Sequence, residues 1–133
     1  MTNKSKSCLI TGITGMVGSH MADYILNNTK WKIHGLCRWR SPLENISHLF
    51  KDINNKRITL HYGDLLDQGS LDKVIFQTKP DYIFHLAAQS FPKFSFPNPS
   101  LTYDTNIIGT SRLLESIVKN RISPVIHICS SSE

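Results

Sequence analysis

The 133-residue sequence predicts an α/β fold: a doubly wound parallel sheet with its strands in the order 3-2-1-4-5. Three observations carry this expectation. Short apolar strand segments alternate with helical segments, which implies parallel pairing through right-handed crossovers. The strands are apolar along their length, as in a sheet covered on both faces. Three glycines stand where the first strand hands over to the first helix.

The elements follow in order. Ser7–Thr11 is a short buried strand ending at Gly12. Met16–Asn28 is a helix with Val17, Met21, Tyr24 and Ile25 at helical spacing, closed by Asn27-Asn28. Trp31–Arg38 is a second strand. Pro42–Phe50 is a short helix with Ser41 as N-cap and Pro42 at its first position. Asp52–Lys56 is a polar turn and Arg57–Tyr62 a third strand. The helix Asp67–Thr78 buries Leu71, Val74 and Ile75, with Asp67 suited to its N-cap. Pro80-Asp81 breaks it, and Tyr82–Ala87 is a fourth strand. Ala88–Pro99 holds three prolines and reads as a loop. Ser100–Asn120 is a long helix with Tyr103, Ile107, Leu114, Ile117 and Val118 inward. Val125–Ser130 is a fifth strand, the last in the chain.

Composition excludes several classes. Apolar content of 40% and charged content of 19% are ordinary for a globular protein. No apolar run approaches the roughly 20 residues needed to span a bilayer, and the polar Met1–Lys6 is no signal peptide. No membrane association and a cytoplasmic location are expected. The net charge of +5 is dispersed, without a basic run interleaved with aromatics, so nucleic-acid binding is not expected. Cys8, Cys37 and Cys129 are an odd number without paired spacing, and read as buried free thiols with no metal site.

The glycine turn is the most informative stretch. In Thr11-Gly12-Ile13-Thr14-Gly15-Met16-Val17-Gly18, Gly12 lets the chain leave the strand tightly. Gly15 removes a Cβ where a pyrophosphate approaches the backbone, and Gly18 lets the helix pack close. The helix start offers unpaired N–H groups and partial positive charge to phosphates. This is the Rossmann arrangement, and its alternative is a glycine-rich turn without a ligand. About 20 residues on, where NAD-binding members of such folds carry an acid for the ribose hydroxyl, stands Arg38. A guanidinium there clamps a 2′-phosphate through paired hydrogen bonds, so NADP is the expected cofactor. Arg38 and Arg40 as solvated surface charges are the alternative, which position disfavours more for Arg38.

The spacing T-G-x-x-G-x-x-G resembles the extended short-chain dehydrogenase/reductase family. With H-Y-G-D-L at His61–Leu65, L-A-A-Q-S at Leu86–Ser90, K-x-S-F at Lys93–Phe96 and S-S-S-E at Ser130–Glu133, the sequence is similar to its GDP-mannose 4,6-dehydratase branch over residues 8–133. The resemblance implies a nucleotide-sugar substrate, GDP-mannose favoured. It implies that Asp64, with Leu65, lies by the adenine, and that Leu86, Ala87, Ala88 and Ser90 line the cofactor's ribose and diphosphate. Ser90 and Lys93 would reach the substrate. Asn106 would support the active site through its helix, or simply face solvent. Ser131 would hold the sugar 4-hydroxyl, and Glu133 would take the C5 proton once C4 is oxidised. His85 reads as a packed strand residue.

The resemblance also implies a Tyr-x-x-x-Lys pair. None of Tyr24, Tyr62, Tyr82 and Tyr103 has a lysine four residues on, so a chain truncated before this pair, without turnover of its own, is expected. Asn106 stands where dehydratases often carry an acid, which keeps an epimerase or a 4-keto-6-deoxy-sugar reductase open as alternatives. A non-catalytic NADP-sensing module is another. The loop Ser90–Pro99 either covers the crevice or packs on the long helix. That helix, Ser100–Asn120, is where the resemblance implies homo-oligomer contacts.

Overall fold

The structure, a computed structural model, describes residues 5–129. Five strands form one sheet: β1 (Ser7–Thr11), β2 (Lys32–Cys37), β3 (Ile58–Tyr62), β4 (Tyr82–His85) and β5 (Val125–Ile128). Their order is β3-β2-β1-β4-β5, and every neighbouring pair is parallel. The fold class and strand order predicted from the sequence are therefore observed. β1 sits centrally, with Leu9 opposite His34 on one side and Ile83 on the other. Alternate residues of β1 feed two hydrophobic layers. Cys8 and Ile10 join Ile13, Ala22, Ile25 and Ile46 on one face. Leu9 joins Leu71, Val74, Ile75, Leu113 and Ile117 on the other.

The first helix, α1 (Met16–Asn28), has the predicted bounds but a different inward face. Gly18, Ser19, Ala22 and Ile25 are buried, whereas Val17 and Tyr24 are exposed. Small side chains let the helix axis approach the sheet, and that closeness, not side-chain size, selects the inner face. After β2 the chain forms a 3₁₀ turn, Glu44–Leu49, which runs into α2 (Phe50–Asn54). The predicted Ser41 cap does not form, because the Ser41 amide closes a turn onto the Arg38 carbonyl. Helical structure continues into the segment expected to be a polar turn, which closes at Lys56 with φ 64°.

Helix α3 (Gln68–Thr78) starts as predicted: the Asp67 carboxylate accepts from the Gly69 and Ser70 amides, both at 3.2 Å. The proline-rich segment holds helix where a loop was expected. Pro92 opens α4 (Pro92–Ser95) and Pro99 opens α5 (Pro99–Tyr103). Proline is tolerated at a helix's first position, whose amide lacks a helical partner in any case. The long helix is interrupted: α5 passes through a π turn, Asp104–Ile108, into α6 (Gly109–Lys119). Its inward residues are Gly109, Leu113, Ser116 and Ile117. Tyr103, Ile107 and Val118, expected inside, are more than 60% exposed, and Leu114 is also exposed. Cys8 and Cys37 are buried free thiols as expected, and Cys129 is exposed instead. Among the described residues no helix is long and apolar enough to cross a membrane.

Candidate functional site

A cleft of about 560 Å³ opens at the carboxyl ends of the strands. It lies over β1, where the strand order reverses, the usual ligand crevice of such sheets. The glycine turn forms its floor. Gly12 holds φ +74°, and a Cβ there would lie 3.0 Å from the backbone of Ala87. A Cβ on Gly18 would lie 2.1 Å from the Gly12 carbonyl oxygen, so the start of α1 rests directly on the turn. Gly15 is the N-cap of α1, with no side chain capping the first amides. The N–H groups of the first turn thus face the cleft without helical partners. No acidic residue in that turn opposes their partial positive charge.

The cleft brings together most residues singled out from the sequence. Gly12, Thr14, Gly15, Met16, Val17 and Gly18 line its floor. Arg38, just beyond β2, and Asp64 and Leu65, just beyond β3, line one side. Leu86, Ala87, Ala88 and Ser90, just beyond β4, line the other. Arg40 does not line it; its guanidinium stacks 4.4 Å over the Trp39 ring.

Two residues act from behind the lining. Thr11 is fully buried, and its Oγ1 bonds the Leu86 and Ala87 amides, each at 3.1 Å, and His85 Nδ1 at 2.8 Å. Asn106 lies in the π turn and grips one residue of the loop after β4, Gln89, by both its backbone N–H and its carbonyl. Its Oδ1 accepts from the Gln89 amide at 2.7 Å, and its Nδ2 donates to the Gln89 carbonyl at 2.9 Å. The Arg112 guanidinium ties the same turn to the opposite wall, through Asp104 at 3.0 Å and the Leu65 carbonyl at 3.0 Å. His85 is buried, and that burial holds its imidazole below the ordinary histidine range. It is a packed strand residue, as expected.

Lys93 is exposed on α4 and lies outside the lining. The next residue, Phe94, reaches the cleft, as do Leu101 and Thr105, so the proline-rich segment does border the crevice. Gln89 and Thr105 have no site role in the sequence reading, Ser41 only that of a helix cap, and Phe94 only a place in the loop that either covers the crevice or packs on the long helix. Gln89 had a signal, since it sits inside the L-A-A-Q-S run; the others become neighbours of the cleft only through tertiary packing. Asp64 is partly committed, its Oδ1 accepting from the Leu66 amide at 3.0 Å. Ser131 and Glu133, the catalytic residues implied by resemblance, lie outside the described residues.

A strand-end cleft with this glycine floor narrows the field to dinucleotide-type folds; a comparison of whole sequences narrows it further. A family model described as GDP-mannose 4,6 dehydratase matches residues 9–133. The chain belongs to the GDP-mannose 4,6-dehydratase family. It is 43% identical over 117 residues to a GDP-mannose 4,6-dehydratase of Vibrio cholerae serotype O1, which covers 84% of this chain and 31% of that relative. It is 40% identical over 120 residues to the GDP-mannose 4,6 dehydratase of Drosophila melanogaster, covering 86% of this chain and 30% of that one. The chain therefore spans about a third of the length of the curated relatives it matches. Among solved structures, the UDP-glucose 4-epimerase of Thermotoga maritima, determined with UDP-glucose, is similar with a TM-score of 0.73 and 26% identity, over 87% of this chain and 35% of that one. The UDP-glucose 4-epimerase of Bifidobacterium longum aligns with a TM-score of 0.81 at 22% identity, over 96% of this chain and 37% of that one, and supports the fold alone. This chain's cleft walls are tied together by Asn106 of the π turn and by Arg112 of α6, which holds Asp104 of that turn.

Proposed function

We propose that the protein carrying these residues is an NADP-dependent GDP-mannose 4,6-dehydratase, a lyase, and that residues 1–133 are its dinucleotide-binding domain. The observation that carries the cofactor reading is Arg38. It lines the cleft at the end of β2, where a carboxylate would favour NAD. Its planar fork suits a 2′-phosphate, and the floor suits a diphosphate, since Gly12 and Gly18 keep the start of α1 close beneath it. The relatives that are GDP-mannose 4,6-dehydratases support the reaction and the sugar nucleotide.

The nicotinamide, when bound, supplies a hydride acceptor for C4 and later a hydride donor for C6. The chain's own residues orient and move protons. Ser131 hydrogen-bonds the sugar 4-hydroxyl. Oxidation at C4 sends the hydride to the nicotinamide and the 4-hydroxyl proton to the tyrosine that the resemblance implies; it acidifies the C5–H, and the Glu133 carboxylate takes that proton and gives it to the departing 6-hydroxyl, which leaves as water. Ser90, in the cleft lining, and Lys93, exposed outside it, are the contacts offered to the substrate. Leu86, Ala87 and Ala88 flank the cofactor, and Asp64 offers its remaining oxygen to an adenine amino group. Tyr103, Ile107 and Val118 form an exposed apolar stripe suited to a homo-oligomer contact. A cytoplasmic location accords with its three free thiols.

A second reading, a nucleotide-sugar epimerase or a 4-keto-6-deoxy-sugar reductase, is favoured by Asn106 where an acid is common in dehydratases. One experiment separates them: incubate the protein with GDP-mannose and NADP and analyse the sugar nucleotide by mass spectrometry. Loss of one water with no net NADPH supports the dehydratase. A product of unchanged mass supports an epimerase; no turnover of GDP-mannose supports a reductase or an NADP-sensing module, and consumption of NADPH with a 4-keto-6-deoxy sugar nucleotide then marks the reductase.

A further inference from the structure

We propose that His85 is a positioning residue: as the neutral tautomer with its proton on Nε2, it carries a one-way hydrogen-bond relay from Thr11 through Thr110 to Asn106, which fixes the Leu86–Gln89 wall of the cleft. The inference rests on the reading that this cleft takes a dinucleotide. The direction of the relay follows from donor and acceptor counting. The Leu86 and Ala87 amides can only donate, and both meet Thr11 Oγ1 at 3.1 Å, the Leu86 N–H being shared with the Thr11 carbonyl at 3.3 Å. They occupy both acceptor sites of that hydroxyl, which is left with one proton to give. Its remaining partner is His85 Nδ1 at 2.8 Å, so Nδ1 must accept and is unprotonated.

The proton of a neutral imidazole then sits on Nε2. Nε2 lies 3.0 Å from Thr110 Oγ1, which accepts it. The Thr110 hydroxyl in turn donates to the Asn106 main-chain carbonyl at 2.7 Å. The opposite tautomer would set two protons against each other at Thr11 and leave Thr110 without a donor. An imidazolium would add a third donor to Thr11 Oγ1. Thr11 is fully buried and His85 is 4% exposed, so water does not substitute for either partner.

The wall needs such support. The strand β4 ends at His85, and Ala87, Ala88 and Gln89 beyond it lie outside the ladder. Thr11 holds the near end of this segment, and the Asn106 amide holds the Gln89 backbone at the far end. His85 and Thr110 join these two anchors across the inside of the molecule. The supported segment presses on the floor, since Ala87 backbone lies 3.0 Å from where a Gly12 Cβ would stand. A shift of the wall therefore moves the phosphate turn.

Two measurements test this on the protein carrying these residues. The first is the ¹⁵N-imidazole multiple-bond spectrum of histidine-labelled, ligand-free protein at neutral pH. His85 is expected to show a bare Nδ1 and a protonated Nε2; a protonated Nδ1 overturns the relay whatever the cleft binds. The second is calorimetric titration with NADP⁺ of Thr110→Val and Thr110→Ser. Loss of the hydroxyl is expected to weaken binding about fivefold, and Ser to restore it to within about twofold. Thr110→Val binding as tightly as the parent overturns the positioning role. Should Thr110→Val fail to fold, the tautomer spectrum still decides. Absence of NADP⁺ and NAD⁺ binding by the parent protein would sink the dinucleotide reading, while the spectrum separately judges the relay.

Discussion

At the end of β2, Arg38 and Arg40 stand two residues apart and do different things. Arg40 stacks on Trp39, while Arg38 lines the cleft beside the glycine floor. Under the proposed NADP reading, Arg38 and not Arg40 meets the phosphate that distinguishes the two nicotinamide dinucleotides. Arg38→Asp is expected to raise the NADP Kd on the order of 100-fold, from a lost charged hydrogen bond and an added repulsion, and the NAD Kd by less than about threefold. Calorimetry with both dinucleotides checks this, and equal losses would contradict the assignment. Two cysteines show what burial does to a side chain here. Burial pushes the Cys8 thiol up to about 12 and raises Cys37 as well, so both remain neutral packing groups.

At the scale of elements, Asp67 is a measurable support for α3. Its carboxylate satisfies two amides that the helix itself leaves open. Asp67→Ala is expected to cost about 1 kcal/mol, read as a lower midpoint in urea with unchanged slope. That cap, the bounds of α1 and the strand order were all legible in the sequence, because each depends on local chemistry or on short apolar runs between breakers. The inner faces of the helices were not. On α1 the sequence points to Val17 and Tyr24, yet the helix packs through Gly18, Ser19 and Ala22. Close approach favours small residues, which carry little hydrophobic signal. On the long helix the outward stripe Tyr103, Ile107 and Val118 is as apolar as the inner one, so periodicity alone could not choose between them. The π turn has no simple sequence mark, although the Asn106 grip on Gln89 depends on it. In the cleft, motif residues were found by spacing. Phe94 enters from α4, and Leu101 and Thr105 enter when the interrupted helix folds against the crevice.

Across the whole molecule, three histidines sit neutral in the sheet. Burial, with the neighbouring His61 and Lys32 charges behind it, lowers His34 from 6.5 to about 4. His61 and His85 are also lowered, chiefly by burial, and His34 Nδ1 lies 3.0 Å from His61 Nε2. The unfolded chain takes up these protons near pH 6.5, whereas the folded chain resists them. Stability from this source is complete above pH 6.5 and is lost as pH falls toward 4. Asp72, hydrogen-bonded by Lys119, Ser116 and Gln68 between α3 and α6, is lowered from 3.8 to about 2, so its contribution persists until pH falls through that lower window. Thermal melts from pH 8 to 4 should be flat above pH 7 and decline from 6.5 downward; a rise on acidification would contradict the neutral assignment. The middle glycine of the floor allows a different separation. Gly15 holds φ −77°, a conformation open to any residue, and a methyl there would touch only the Gly12 oxygen at 3.3 Å. Gly15→Ala is therefore expected to melt within a few degrees of its parent and yet to gain no further protection from NADP. At this position an architect could silence recognition and leave the building standing. The same substitution at Gly18, jammed against the turn, would bring both down together.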